Sequence, residues 1–213
     1  VLDRDGRDLA HEPPPEMNAA ARRNAVIVAG HRGDDDAVLC HIGDRDASVR
    51  EAARGARARR DRLDVSLVVA ALGDPAPSVR RRGAELAAVR PNVSLRSALA
   101  DADVTVVEVA AWACGERESV DDDVIEALIE LATGHPEPLV REAAAAALGA
   151  IGDTRGLPAI PAACRDRPHI RRRAVLALAP FVGDDVEQAI DDALTARDWQ
   201  VRQAAEDLRR AQY

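Results

Sequence analysis

The sequence contains no lysine; all 29 of its basic residues, in a chain of 213, are arginine. Beside abundant Ala and Asp, this reads first as GC-rich coding bias and only second as function. Aromatic residues are nearly missing too, with two Trp, one Phe and one Tyr. So few flat apolar side chains argue against an aromatic-lined cofactor cavity. Ala, Val and Leu must then supply the core, which suits helices packed closely through small side chains. Cysteine is scarce: Cys40, Cys114 and Cys164 are odd in number and far apart. Structural burial in a reducing compartment fits them better than a disulfide or a metal site. No apolar run is long enough to span a bilayer, and the N-terminal stretch carries no signal-peptide segment. An excess of positive charge is also lacking. The formal net charge is −8, so no global field draws in nucleic acid or an anionic membrane. The expectation is a cytoplasmic protein with no membrane contact and no cofactor.

What the sequence does contain is a phrase at a nearly constant interval. A β-branched residue followed by Arg, with a small residue four places on, occurs at Val49-Arg50, Val79-Arg80, Val140-Arg141, Ile170-Arg171 and Val201-Arg202. The steps are 30, 61, 30 and 31 residues, and the double step hides a degenerate copy at Val106-Val107. A period near thirty marks an array in which each unit buries its apolar face only against its neighbours. We number positions from the β-branched residue, called the mark. After the marks, small or apolar residues recur at +4 and +7, and in most copies at +3 and +8, as in Val140, Ala143, Ala144, Ala147 and Leu148. That spacing draws one apolar stripe on a helix, the second of each unit.

Before each mark lies a turn, such as Gly73-Asp74-Pro75-Ala76-Pro77. Pro77, Pro138 and Pro168 stand where a missing N–H costs nothing in the first turn of a helix. Shorter first helices are expected over 37–42, 65–72, 93–99, 124–132, 157–164 and 186–194. Several follow acidic clusters (Asp34-Asp35-Asp36, Asp121-Asp122-Asp123, Asp184-Asp185). These read as favourable charge at the positive helix end rather than a cation site. Residues 19–30 read as one more second helix without its partner, and the polar stretch from Val201 to Tyr213 as a terminal cap. Residues 1–16, charged and containing Pro13-Pro14-Pro15, are expected to be a disordered extension, with Met17 a possible start. Residues 17–213 are expected to form a single domain and a monomer.

Three stretches carry a family resemblance: Asp-Pro-Ala-Pro-Ser-Val-Arg at 74–80; Val140-Arg141-Glu142-Ala143-Ala144 through Leu148-Gly149-Ala150-Ile151-Gly152-Asp153; and Val201-Arg202-Gln203-Ala204-Ala205. They resemble HEAT-like repeats, specifically the short-repeat branch shared with phycobilisome lyases, over residues 17–213. The resemblance implies an all-α, right-handed α-solenoid of about six helical-hairpin repeats plus a leading helix. It implies little about activity. A catalytic relative, deoxyhypusine hydroxylase, would imply His-Glu pairs on successive second helices. This chain has Arg50-Glu51 and Arg141-Glu142 there, while His31, His41, His135 and His169 share no ligand spacing. No catalytic or metal-binding residues are assigned.

The recurring Arg50, Arg141 and Arg202, with the turn carboxylates Asp74 and Asp166, read as a structural ladder locking the stack. Two arginine runs, Arg80-Arg81-Arg82 and Arg171-Arg172-Arg173, open equivalent second helices and make candidate partner-binding patches along the groove that the resemblance implies. Glu51, Glu85, Glu108 and Glu142 share those helices. A mixed groove suits a protein partner, an acidic segment above all, better than nucleic acid. Trp112 stands at +6 of the degenerate copy, where the other copies carry Gly55, Glu85, Ala146, Leu176 and Asp207, and is a candidate interface anchor. Trp199 reads as local packing of the last turn. The expected function is a non-catalytic scaffold or adaptor for another protein. The alternatives are a bilin-lyase-like accessory or regulatory subunit, or a weak nucleic-acid binder.

Overall fold

The computed structural model describes residues 17–60 and 62–211, so the expectation for residues 1–16 lies outside it. Among the described residues there are twelve α-helices and no strand. They group into two compact units, one ending at Leu63 and the other starting at Asp64.

The first unit holds α1 (Ala19–Arg32), α2 (Asp35–Leu39) and α3 (Ala47–Ala58). Asn18 caps α1 by accepting from the Ala21 amide at 2.9 Å, and Asp34 caps α2 through the Ala37 amide at 3.1 Å. Both satisfy amides that the helix itself leaves without acceptors. The core is Val26, Val38, Val49, Ala53 and Ala56. Gly30 lets α1 and α3 approach, since a Cβ there would stand 2.7 Å from the Ala56 Cβ. Arg57 sits at +8, in the core register, and is buried. Its Nη1 donates to Asp35 at 2.8 Å and its Nη2 to the Arg62 carbonyl at 2.6 Å. A buried charge is tolerated only when so paired.

The second unit is a stack of helical hairpins. Its second helices are α5 (Pro77–Ala87), α6 (Val104–Gly115), α8 (Pro138–Ile151), α10 (Pro168–Ala177) and α12 (Trp199–Ala211). Each packs against the next, while α4 (Val65–Leu72), α7 (Asp122–Gly134), α9 (Ala159–Ala163) and α11 (Asp184–Leu194) back them. This is an α-solenoid of HEAT-like repeats. Every mark is buried, from Val79 to Val201, as are the +4 residues Gly83, Ala110, Ala144, Ala174 and Ala205. The apolar stripe is therefore the continuous core.

Glycine at +9 sets the spacing of the second helices. A Cβ on Gly149 would lie 2.5 Å from both the Cα and the Cβ of Ala177, and one on Gly115 would lie 3.0 Å from the Ala147 Cα. In each pair the partner is the +7 alanine of the next copy, as it is for Gly30 and Ala56.

Three of the expected first helices differ. Residues 93–97 are not helical, and the segment ends in a single 3₁₀ turn at Ala98–Ala100. The step between marks is three residues shorter there, and Pro91, Asn92 and Ser94 are weak helix formers. Val93, Leu95 and Leu99 still reach the core from this irregular segment. Arg117 ties this segment to the end of α5 by donating to the carbonyls of Ala87 and Val93, both at 2.8 Å. The expected 157–164 helix is cut to a 3₁₀ turn, Thr154–Gly156, and the five-residue α9, with Pro158 at the boundary. The expected 37–42 helix is shorter and starts earlier, at Asp35, ending at Leu39.

Candidate functional site

The +6 register stacks Trp112, Ala146 and Leu176 on the exposed sides of α6, α8 and α10. The small Ala146 between two large residues leaves a groove of about 660 Å³. Its floor is Ala143, Ala147, Ala150 and the glycines Gly115 and Gly149, so the same small residues that bring the helices together make the depression. Trp112 is 45% exposed, Leu139 47% and Leu176 39%. Three large apolar side chains half in water around one groove are unusual for a surface with no partner. Glu108, Glu116, Glu142 and Arg173 bring charge to its edge. Glu142 lies 3.6 Å from Arg173, so three carboxylates face one guanidinium.

Elsewhere the first arginine run is partly engaged. Arg80 donates through Nε and Nη2 to Asp101 at 2.6 and 2.8 Å, and through Nη1 to the carbonyls of Asp74 and Pro75. Arg82 pairs with Glu85 at 2.6 Å. Arg81 is half-buried, whereas Arg172 and Arg173 are exposed. The runs therefore do not form a continuous basic patch.

Arg141 repeats the Arg80 geometry, with Nε and Nη2 on Asp166 at 2.6 and 3.0 Å and Nη1 on the carbonyls of His135 and Pro136. In the first unit Arg22 clasps Asp44 with two bonds of 2.8 Å. Each fork thus ties one copy to the turn of the next with charge-assisted bonds. Arg50 bonds the Asp44 and Arg45 carbonyls, and Arg202 those of Ala196 and Arg197. Asp74 is buried and accepts from the Ala76 amide at 2.9 Å. The guanidinium hydrogen bonds hold Asp44, Asp101 and Asp166 below the usual carboxylate range, partly opposed by burial. Sequence reasoning missed Asp101, although it lies five residues before its mark, as Asp44 and Asp74 do. It also missed Arg22, whose mark is Ala21 and lacks β-branching, and Leu139, which no register singled out.

The thiols are placed unevenly. Cys114 is buried at +8, and burial pushes its pKa up to about 12. Cys164 is half-buried and likewise pushed up to about 12, whereas Cys40 is exposed, contrary to the expectation of burial. A thiol held protonated is a poor nucleophile. All three are free thiols. Trp199 also departs from expectation: as the first residue of α12 it is 64% exposed rather than packed on the turn. Among the described residues no cluster of three or more His, Cys, Asp or Glu is placed to hold a metal, and no helix is long and apolar enough to cross a membrane.

With this geometry in place the likenesses to known proteins are coherent. Residues 93–179 match the family model for HEAT repeats. Among solved structures, YibA from Escherichia coli superposes with a TM-score of 0.73 at 19% identity, over 92% of this chain and 78% of that one. The complex of CpcE and CpcF of phycocyanin lyase from Nostoc sp. PCC7120 gives 0.61 at 23% identity, over 80% and 74%. A designed armadillo repeat protein gives 0.58 at 14% identity, over 83% and 98%. No curated protein matches by sequence. At these identities the likeness is one of fold. Residues 93–179 therefore carry HEAT repeats, and the described residues share the α-solenoid fold of these structures.

Proposed function

We propose that the protein is a non-catalytic scaffold or adaptor that holds a segment of another protein in the groove of α6, α8 and α10. The observation that carries this reading is the trio Trp112, Leu139 and Leu176, half exposed around a floor of alanine and glycine. Such a groove accepts an apolar side chain, and Trp is the side chain most often found at the energetic centre of an interface. The rim revises the charge expected of the partner. With Glu108, Glu116 and Glu142 against Arg173, a segment carrying positive charge beside its apolar anchor fits better than an acidic one. The same carboxylates weigh against nucleic acid, whose affinity rests on phosphate contacts.

The test is Trp112→Ala, measured on the partner captured from the native host. With 45% of Trp112 exposed, roughly 100 Å² is available for burial, worth about 2–3 kcal/mol, or a roughly 30- to 150-fold weaker Kd. Helical circular dichroism should be unchanged. Unaltered affinity in a folded variant rejects the anchor role. A bilin-lyase-like accessory role has in its support the likeness to the CpcE–CpcF complex, which is of fold only. Visible bilin absorbance retained by the purified protein would favour it.

A further inference from the structure

Among the described residues the ladder's Arg171 rung has a missing partner. Arg80 and Arg141 each give Nε and Nη2 to an aspartate in the following turn. At the degenerate copy both members are lost together, since Val107 stands for the arginine and His135 for the aspartate five residues before the next mark. Arg171 keeps the arginine, but five residues before the mark Val201 stands Ala196. The Arg171 Nε is buried without a hydrogen-bond partner, and no ion pair is formed by its guanidinium among the described residues. Arg171 and Ala196 instead line a cavity of about 590 Å³ bounded by α9, α10, α11 and the turn before α12. An unpaired buried donor costs free energy that a suitable acceptor would recover.

We propose that the cavity beside Ala196 is a carboxylate-binding site, in which a ligand's carboxylate accepts from the Arg171 guanidinium. The planar guanidinium matches a carboxylate with two parallel bonds. The register that puts the Asp46 and Asp103 amides on their turn carboxylates at 2.8 Å puts the Asp198 amide beside the same place. Arg165 adds positive charge to the cavity lining, while Asp185 and Asp192 bring negative charge, Asp192 accepting from Gln188 at 2.9 Å. Two wall carboxylates select a singly charged carboxylate over a phosphate dianion. The site is separate from the α6–α8–α10 groove and stands or falls independently of it.

The test follows the Arg171 Nε–Hε NMR signal of the full chain, identified by its loss in Arg171→Lys, during titration at constant ionic strength. One arm uses acetate, and the other the tripeptide acetyl-Ala-Ala-Leu with a free C-terminus, compared with its amide. A saturable shift with acetate, the peptide binding no more tightly, assigns a small free acid. A peptide at least tenfold tighter than acetate, its binding lost in the amide, assigns a chain end. In Ala196→Asp the new side chain should occupy the fork, raise the melting temperature and weaken either ligand at least tenfold. That stabilisation should vanish when Arg171→Lys is added. No shift of the Arg171 signal, or equal binding by Ala196→Asp, overturns the proposal.

Discussion

Replacing Gly149 by alanine tests how closely the solenoid packs its second helices. The added methyl would fall 2.5 Å from the Ala177 Cα, 2.5 Å from its Cβ and 2.6 Å from its carbonyl oxygen. Two of these are backbone atoms, which no rotamer change can withdraw. Overpacking a tight interface costs about 1–3 kcal/mol, and backbone contacts put Gly149 near the upper end, about 3. Alanine returns about 1 kcal/mol of helix propensity. The net loss expected is therefore about 2 kcal/mol, or a fall in melting temperature of several degrees for a chain of this size. Gly115 is the internal control. Its methyl would meet Ala147 Cα at 3.0 Å and Cβ at 3.3 Å, so clash and propensity nearly cancel. Urea midpoints followed by helical circular dichroism compare the two. Ala177→Gly in the Gly149→Ala background should recover only part of the loss, because it removes one of the three contacts. If Gly149→Ala were as stable as the parent, or less damaging than Gly115→Ala, the close approach of α8 and α10 would be refuted.

Two other outcomes follow from the ladder and the thiols. Arg141→Ala removes both bonds to Asp166, whose carboxyl those bonds hold below its ordinary value of 3.8. A depressed folded value means the contribution is full above about 4 and lost as pH falls below it. The variant should lose about 1–2 kcal/mol at pH 7 and progressively less below pH 4; an equal loss in urea midpoint at pH 7 and pH 3 would contradict the pairing. A maleimide should label the exposed Cys40 promptly and Cys114 only on unfolding, since burial pushes the Cys114 thiol up to about 12. Mass spectrometry showing equal rates in the folded protein would mean that the core of α6 opens readily.

Much of the fold was readable because the repeat has a period and burial obeys it. Val79, Val140 and Ile170 each appear buried where a 3.6-residue stripe puts them, and Pro77 and Pro138 open helices because their missing N–H has no helical acceptor to lose. The irregular segment 93–99 was not readable. Its apolar residues carry a helix-like pattern, but they reach the core from a largely irregular chain whose Val93 carbonyl accepts from Arg117, more than twenty residues away. The groove was half readable. Trp112 stands out by breaking the +6 register, whereas Leu139 joins it only because the start of α8 lies beside α6.

The sequence by itself determined the repeat, the helical pairs, the small-residue core and the arginine-carboxylate vocabulary, since all of these are properties of spacing along one chain. Only the tertiary structure decided which carboxylate each arginine clasps, Asp101 for Arg80 and Asp166 for Arg141, and that Arg171 clasps none among the described residues. It also decided that Arg80 and Arg82 of the first run are paired while the groove beside Trp112 is edged mainly by glutamate. Those outcomes depend on side chains from different copies meeting in space. A sequence period fixes which residues face the neighbouring helix, but the distance between helices, set here by Gly115 and Gly149, fixes which of them touch.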